Sequence, residues 1–276
     1  MNSIFDSRSL RFIAAAMVVV NGFFPALWIL LTSLKTEAEL VSKPITYLPH
    51  QPTLANYVQA FTDQPLLKYL GNSLAVALSA TAFSLLVSAL AAYAIARLNL
   101  RRRQLILTCI VASSMFPLVT LLVPIFETMR TLGLLNSYTA LVLPYIVLNL
   151  PVCTLVLVSF FQSIPKDLEN AAMIDGCTRM GALLRVVVPL AAPGVFTAGI
   201  LAFVNSWDEF LLALSLNSNP NFRTLPVGIT LYQGEFTFPW PIISAALIVA
   251  IVPIAVLIAI FQERVVGGLT QGGLKG

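Results

Sequence analysis

Six long apolar runs alternate with polar segments along this chain. The first, Phe12–Leu34, carries no charge over 23 residues, and a membrane-spanning helix needs about 20. A signal-peptide core is shorter, about 7–15 residues, and no small-x-small cleavage site follows, so the run reads as a retained span. The other runs are 70–96, 104–126 with Pro117 and Pro124, 139–161 with Pro144 and Pro151, 191–216, and 240–262 with Pro253. These prolines are expected to bend their helices without breaking the spans, because neighbouring helices can satisfy the freed carbonyls. Between the runs lie a proline-containing polar loop (Lys35–Lys68), a basic turn (Arg97–Arg103), a short loop (Glu127–Tyr138) and a longer aromatic loop (Asn217–Pro239). A Gly-rich tail, 263–276, would be flexible in isolation. The pattern predicts an all-α polytopic membrane protein, one domain of six transmembrane helices.

The polar interruption at 162–190 has its own periodicity. Pro165 suits the first turn of a helix. Leu168, Ala171 and Ala172 recur at i, i+3 and i+4, with Asp175 one turn further on. Gly176 then ends the helix, since it tolerates the left-handed dihedral of a C-terminal cap. A second helical run, Met180–Val188, stops at Pro189. The expected shape is helix, sharp turn, helix, with apolar side chains of Leu168, Ala172 and Ile174 on the first. A solvated loop is the alternative.

Composition and charge sharpen this picture. The chain is 58% hydrophobic and 10% charged, against about 25% charged for a soluble domain. Eleven basic residues, Arg97 and Arg101–Arg103 among them, fall on the side of both termini and of the 162–190 segment, and five fall on the other. The positive-inside bias places the larger set, both termini included, in the cytoplasm. The basic residues are topology signals rather than a nucleic-acid footprint. No P-loop, H-E-x-x-H or G-x-S-x-G pattern occurs. Cys109, Cys153 and Cys177 are unpaired in spacing, and His50 lies alone in a Pro-rich loop. No catalytic or metal site is expected on this chain.

The string from Ile164 to Thr178 resembles the EAA loop of ABC importer permeases. Ala171, Ala172, Gly176 and Val187-Val188-Pro189-Leu190 fall in its register, and I-P-x-x-L-E-x-A-A-x-x-D-G-x-[ST] of the carbohydrate branch is matched throughout. One position departs: Asn170 stands where the triplet opens with glutamate, leaving Glu169 or Asn170 as the polar contact. The terminus Gly268–Gly276 is similar to that of the maltose-type permeases, with the trehalose branch close by. The resemblance implies a type I ABC permease fold in the cytoplasmic membrane of a prokaryote. It implies a second homologous permease, two ATPase subunits holding ATP and Mg, and an extracytoplasmic sugar-binding protein. Cargo would be a disaccharide such as trehalose or maltose, moved by alternating access. Leu168, Glu169, Asn170, Ala171, Ala172, Asp175 and Gly176 would couple to the ATPases, and the tail would insert between them.

Asn205, Asp208 and Glu209, at i, i+3 and i+4 on the fifth predicted helix, share a face around Trp207. A carboxylate at mid-bilayer costs about 2.5–3.5 kcal/mol, and such residues face a water-filled path or a partner. A helix end at the headgroups and an intersubunit salt bridge stay open as alternatives. Trp207, Glu209 and Phe210 resemble the W-x-E-F segment of sugar permeases, which implies a sugar passage, with Asn72, Tyr93, Tyr145 and Asn149 as further lining or as helix–helix hydrogen bonders. Tyr232, Gln233, Gly234 and Glu235 in the last external loop would meet the binding protein, or else belong to an interfacial aromatic belt. Rival readings are an ABC permease for a non-sugar solute, an ion-driven secondary transporter, for which only one off-centre carboxylate pair is present, and a membrane scaffold.

Overall fold

A computed structural model describes the backbone of residues 7–234 and 237–273 and the side chains of 12–234 and 237–261. The described residues form helices and no strand. In chain order these are α1 Ser7–Ser33, α2 Glu37–Leu40, α3 Ala55–Asp63, α4 Leu66–Arg97, α5 Arg103–Ser114, α6 Leu118–Thr131, α7 Tyr138–Ser163, α8 Lys166–Ile174 and α9 Arg179–Ala182. A π-helical stretch, Leu183–Val187, joins α9 to α10 (Val188–Leu190). There follow α11 Ala192–Trp207, α12 Leu211–Leu216, a 3-10 turn at Pro220–Phe222, α13 Leu225–Thr230 and α14 Trp240–Gly273.

Among the described residues four helices are long and apolar enough to cross a membrane: Phe12–Ser33, Leu66–Arg97, Tyr138–Ser163 and Trp240–Phe261. Two bent pairs bring the number to six if each is one span: α5 with α6, bent by 90°, and 179–190 with α11, bent by 82°. The third predicted helix is therefore broken, not merely curved. Ser113 and Ser114 turn their hydroxyls back onto the carbonyls of Ile110 and Val111, both at 2.7 Å. Pro117 has no N–H and pushes Phe116 out of the helical region. Serine back-bonding and proline act on consecutive turns, and the ladder parts between them. The helix resumes at Leu118 and runs to Thr131, into the segment expected to be a loop.

The chain divides into two compact units, residues 1–67 with 228–253 and residues 68–227 with 254–276. In the first, the polar loop after α1 is ordered by side chains rather than by hydropathy. Asn56 donates to the carbonyls of Ser33 and Lys35, both at 2.8 Å, which satisfies groups left over at the end of α1. Glu39 accepts from the Thr46 hydroxyl at 3.0 Å and the His50 N–H at 2.9 Å. These bonds, the His50 one foremost, hold its carboxyl below the usual carboxylate pKa.

In the second unit α4, α7 and α11 pack through small residues. Ala92, Cys153, Ala198 and Ala202 are buried together with Leu157 and Phe161. Gly194 marks the closest approach: a Cβ there would stand 2.3 Å from Cγ and 2.7 Å from Cβ of Phe160. A second cluster, with Val76, Leu141, Tyr145 and Leu212, fills the end nearer α12. Phe196 of α11 stacks on Phe261, their rings 4.8 Å apart.

The predicted fifth helix, 191–216, is corrected. It ends at Trp207, with Asp208 as its C-cap, and α12 starts afresh. α14 continues to Gly273, so most of the predicted flexible tail is helical in its backbone. No proline follows Pro253, and a glycine costs a helix only about 1 kcal/mol relative to alanine. The side chains of 263–273 and all of 274–276 lie outside the described residues.

Candidate functional site

The 162–190 segment folds as helix, turn, helix. Ile164 and Pro165 are extended, with ψ 130 and 132°, and α8 begins with Asp167 and Glu169 in its first turn, where acidic groups complement the helix dipole. Gly176 has φ +91°. Its N–H reaches the carbonyl of Met173 at 3.1 Å, and the Cys177 N–H reaches that of Ala172 at 2.9 Å. This pair of bonds is a Schellman cap, which needs a left-handed residue at that position. Thr178 opens α9 by accepting the Gly181 N–H at 3.1 Å. The π-helical stretch then absorbs Pro189, whose absent N–H would leave a gap in an α-ladder.

α8 divides its side chains sharply. Leu168 is 46% and Ile174 85% exposed, and Asn170, Ala171, Asp175 and Gly176 are exposed too, with Ala172 half-buried. Glu169 is 5% exposed and faces inward. Its Oε2 lies 3.3 Å from Arg97 Nε, and its Oε1 accepts the Tyr93 hydroxyl. Of the two residues able to make the EAA polar contact, Asn170 alone presents itself outward. Tyr93 of α4, expected along the passage, bonds to this loop through Glu169.

The second polar constellation surrounds the break after α11. Glu209 accepts the Leu212 N–H at 2.8 Å, the Ala213 N–H at 3.1 Å and the Tyr145 hydroxyl at 2.6 Å. The carboxylate caps α12, and that competition ends α11. Asn205, Asp208 and Glu209 therefore do not share one helical face. Trp207 is 2% exposed and stacks on Phe203 at 5.6 Å, so its ring offers no open face. Asn205 donates to the Asn149 side-chain oxygen at 2.8 Å, and Asn149 donates to Ser206 at 2.9 Å.

A cavity of about 600 Å³ opens beside this amide pair, lined by Ser113, Ser114, Phe116, Asn149, Cys153 and Asn205 among others. A second of about 560 Å³ carries Asn205, Asp208 and Glu209. Sequence reasoning alone misses Ser113 and Ser114. A Ser-Ser pair just before Met-Phe-Pro is the signal that could find them, since it places two hydroxyls at a helix break. Asn72 is elsewhere: it donates to the carbonyls of Asn221 at 3.0 Å and Arg223 at 2.8 Å and accepts from Tyr138 at 2.8 Å, tying a loop down. In the other unit Tyr232 is 8% exposed, its hydroxyl donating to the Ala60 carbonyl. It anchors the loop whose exposed residues include Gln233 and Gly234. Glu235 lies outside the described residues. No group of three or more His, Cys, Asp or Glu able to hold a metal occurs among the described residues.

Residues 84–271 match the family described as "Binding-protein-dependent transport system inner membrane component". The chain is 74% identical over 276 residues to the sulfoquinovosyl glycerol transport system permease protein of Agrobacterium fabrum, covering 100% of this chain and 97% of that one. It is 40% identical over 262 residues to a trehalose transport system permease protein of Mycobacterium tuberculosis, covering 94% and 95%. It is 36% identical over 272 residues to a trehalose/maltose transport system permease protein of Thermococcus litoralis, covering 98% and 97%. The fold is similar to that of a chain from a crystallised bacterial ABC transporter involved in import of the acidic polysaccharide alginate, with a TM-score of 0.80, 20% identity and coverage of 95% and 99%. The exposed helix–glycine–helix loop and the apolar spans that flank it thus fall inside a known architecture: this chain belongs to the inner-membrane components of binding-protein-dependent transport systems, a multi-pass ABC permease subunit and not an enzyme.

Proposed function

We propose that this chain is one of two related permease subunits of a carbohydrate ABC importer. It crosses the membrane six times with both termini in the cytoplasm, each bent helix pair serving as one span. Two ATPase subunits with ATP and Mg dock from the cytoplasmic side, and a sugar-binding protein delivers cargo from outside. The observation that carries the reading is α8, a helix whose Leu168, Asn170, Ala171 and Ile174 are exposed while Glu169 roots it into the membrane-spanning part. ATP-driven closure displaces this helix, and the spans re-orient around the central passage. The 263–276 tail enters between the ATPases.

Within the passage, Asn149, Asn205, Ser113 and Ser114 supply neutral donors and acceptors suited to sugar hydroxyls. Asp208 stands at the adjoining cavity, and Glu209 supports it structurally. The cargo we favour is a glycoside of the sulfoquinovosyl glycerol type, because the relative bearing that name is 74% identical over all of this chain and 97% of its own length. Trehalose and maltose, carried in the names of relatives at 36–40%, are the second reading. Purified cognate binding protein titrated with sulfoquinovosyl glycerol, trehalose and maltose separates them. Micromolar binding of the first with none of the others supports the assignment; selective binding of trehalose or maltose replaces it. Reconstituted complex with no substrate-stimulated ATPase activity for any of them would remove the carbohydrate reading.

A further inference from the structure

Arg97 enters the sequence pattern only as one positive charge at the end of a span. In the structure it is 9% exposed and does two things at once. Its Nε faces Glu169 at 3.3 Å, and a terminal nitrogen donates to the carbonyl of Ile164 at 3.0 Å. One turn earlier on α4, the Tyr93 hydroxyl donates to the other oxygen of Glu169. Ile164 is the last residue before the Pro165 elbow, and Glu169 lies in the helix beyond it. Two side chains of α4 therefore grip both sides of that elbow.

Without the grip the elbow would be compliant. Ile164 and Pro165 are extended, and Pro165 donates no hydrogen bond, so no helical ladder connects α7 to α8. With it, swinging α8 away would strand the Arg97 guanidinium in a buried site, an outcome that makes breaking such pairs costly. We infer that Arg97 and Tyr93 are positioning residues for coupling: through Glu169 they fix α8 to α4, so that a push on α8 moves the span instead of bending the elbow. The inference rests on the proposed role of α8 as the coupling helix. It also gives the two adjacent polar residues separate tasks, Glu169 gripping the span and Asn170 facing the partner.

The test uses the whole importer in proteoliposomes with its binding protein and sulfoquinovosyl glycerol, or trehalose if that is what the binding protein takes. Glu169→Gln, Arg97→Lys and Tyr93→Phe are compared by sugar moved per ATP hydrolysed. An Ile174→Cys background reports by crosslinking whether α8 still meets the ATPase. The expected result is a parent-like crosslink, continued ATP hydrolysis and a fall in the ratio of at least about fivefold, the low end of typical coupling effects, for Glu169→Gln and Arg97→Lys. Tyr93→Phe should fall less. If Glu169→Gln does not assemble, Tyr93→Phe decides, since it keeps the ring and the ion pair: a reduced ratio supports the grip and a parent-like ratio overturns it. A purely structural role would lower complex yield and both rates together, leaving the ratio unchanged, and would also overturn it. A parent protein that gives no crosslink from position 174 would refute the coupling role of α8 itself, which is a distinguishable failure.

Discussion

Glu209 offers the sharpest test of how this chain uses its costly charges. Its carboxylate receives three donors, the Leu212 and Ala213 N–H groups and the Tyr145 hydroxyl, at 2.6–3.1 Å. Leu212, Ala213 and Tyr145 are buried, but Glu209 itself is half-buried and lines the cavity of about 560 Å³, so water can replace the lost acceptor in part. A buried donor left unpaired costs about 1–3 kcal/mol. Glu209→Ala removes the acceptor of all three, and with water reaching the site in part the cost is about 2–4 kcal/mol. Tyr145→Phe removes one bond and leaves the cap, costing about 1–2 kcal/mol. In a double-mutant cycle the pair should couple by roughly 1–2 kcal/mol, because the Tyr145 hydroxyl has nothing to lose once Glu209 is gone. Denaturant unfolding of the purified importer in detergent, read by protease resistance of the α11–α12 segment, measures this. Glu209→Ala unfolding like the parent would refute the capping role. Loss of uptake in Glu209→Gln at unchanged stability would refute it too, since the side chain would then be a passage residue and not a cap.

Other outcomes follow from single positions. Gly194→Ala should destabilise by about 1–3 kcal/mol, because its Cβ would overlap the base of the Phe160 side chain; Phe160→Ala in the same background should recover part of the loss, read by thermal unfolding. Gly176→Ala meets open space, so its cost comes from the φ of +91° alone, about 1–2 kcal/mol. It should lower uptake per ATP more than it lowers complex yield, and Gly176→Pro should uncouple the two while the protein stays inserted. Glu39 has its pKa lowered in the folded loop, chiefly by the His50 N–H. A lowered folded pKa means its contribution is complete above the unfolded value of 4.5 and is lost as pH falls through the folded one. Protease nicking of the 35–54 loop should therefore rise at acid pH in the parent, while Glu39→Gln nicks at a rate that no longer changes over that range.

Hydropathy and punctuation alone determined the class of this protein. A run of 23 residues without charge has no stable alternative to a membrane or a deep core, and Gly176 after an amphipathic helix has one conformation that ends it, the one observed. Those are local facts, each settled within one continuous stretch of chain. What the tertiary structure decided was which way each polar group faces. Glu169 and Asn170 are neighbours, yet one turns inward because Arg97 and Tyr93 lie more than seventy positions earlier in the chain. Asp208 and Glu209 look like one charged face until Tyr145, 64 residues away, and the N–H groups of α12 take Glu209 and end the helix. A carboxylate is placed by whichever donors the fold brings to it, and a local window of sequence holds Leu212 and Ala213 but not Tyr145, Arg97 or Tyr93.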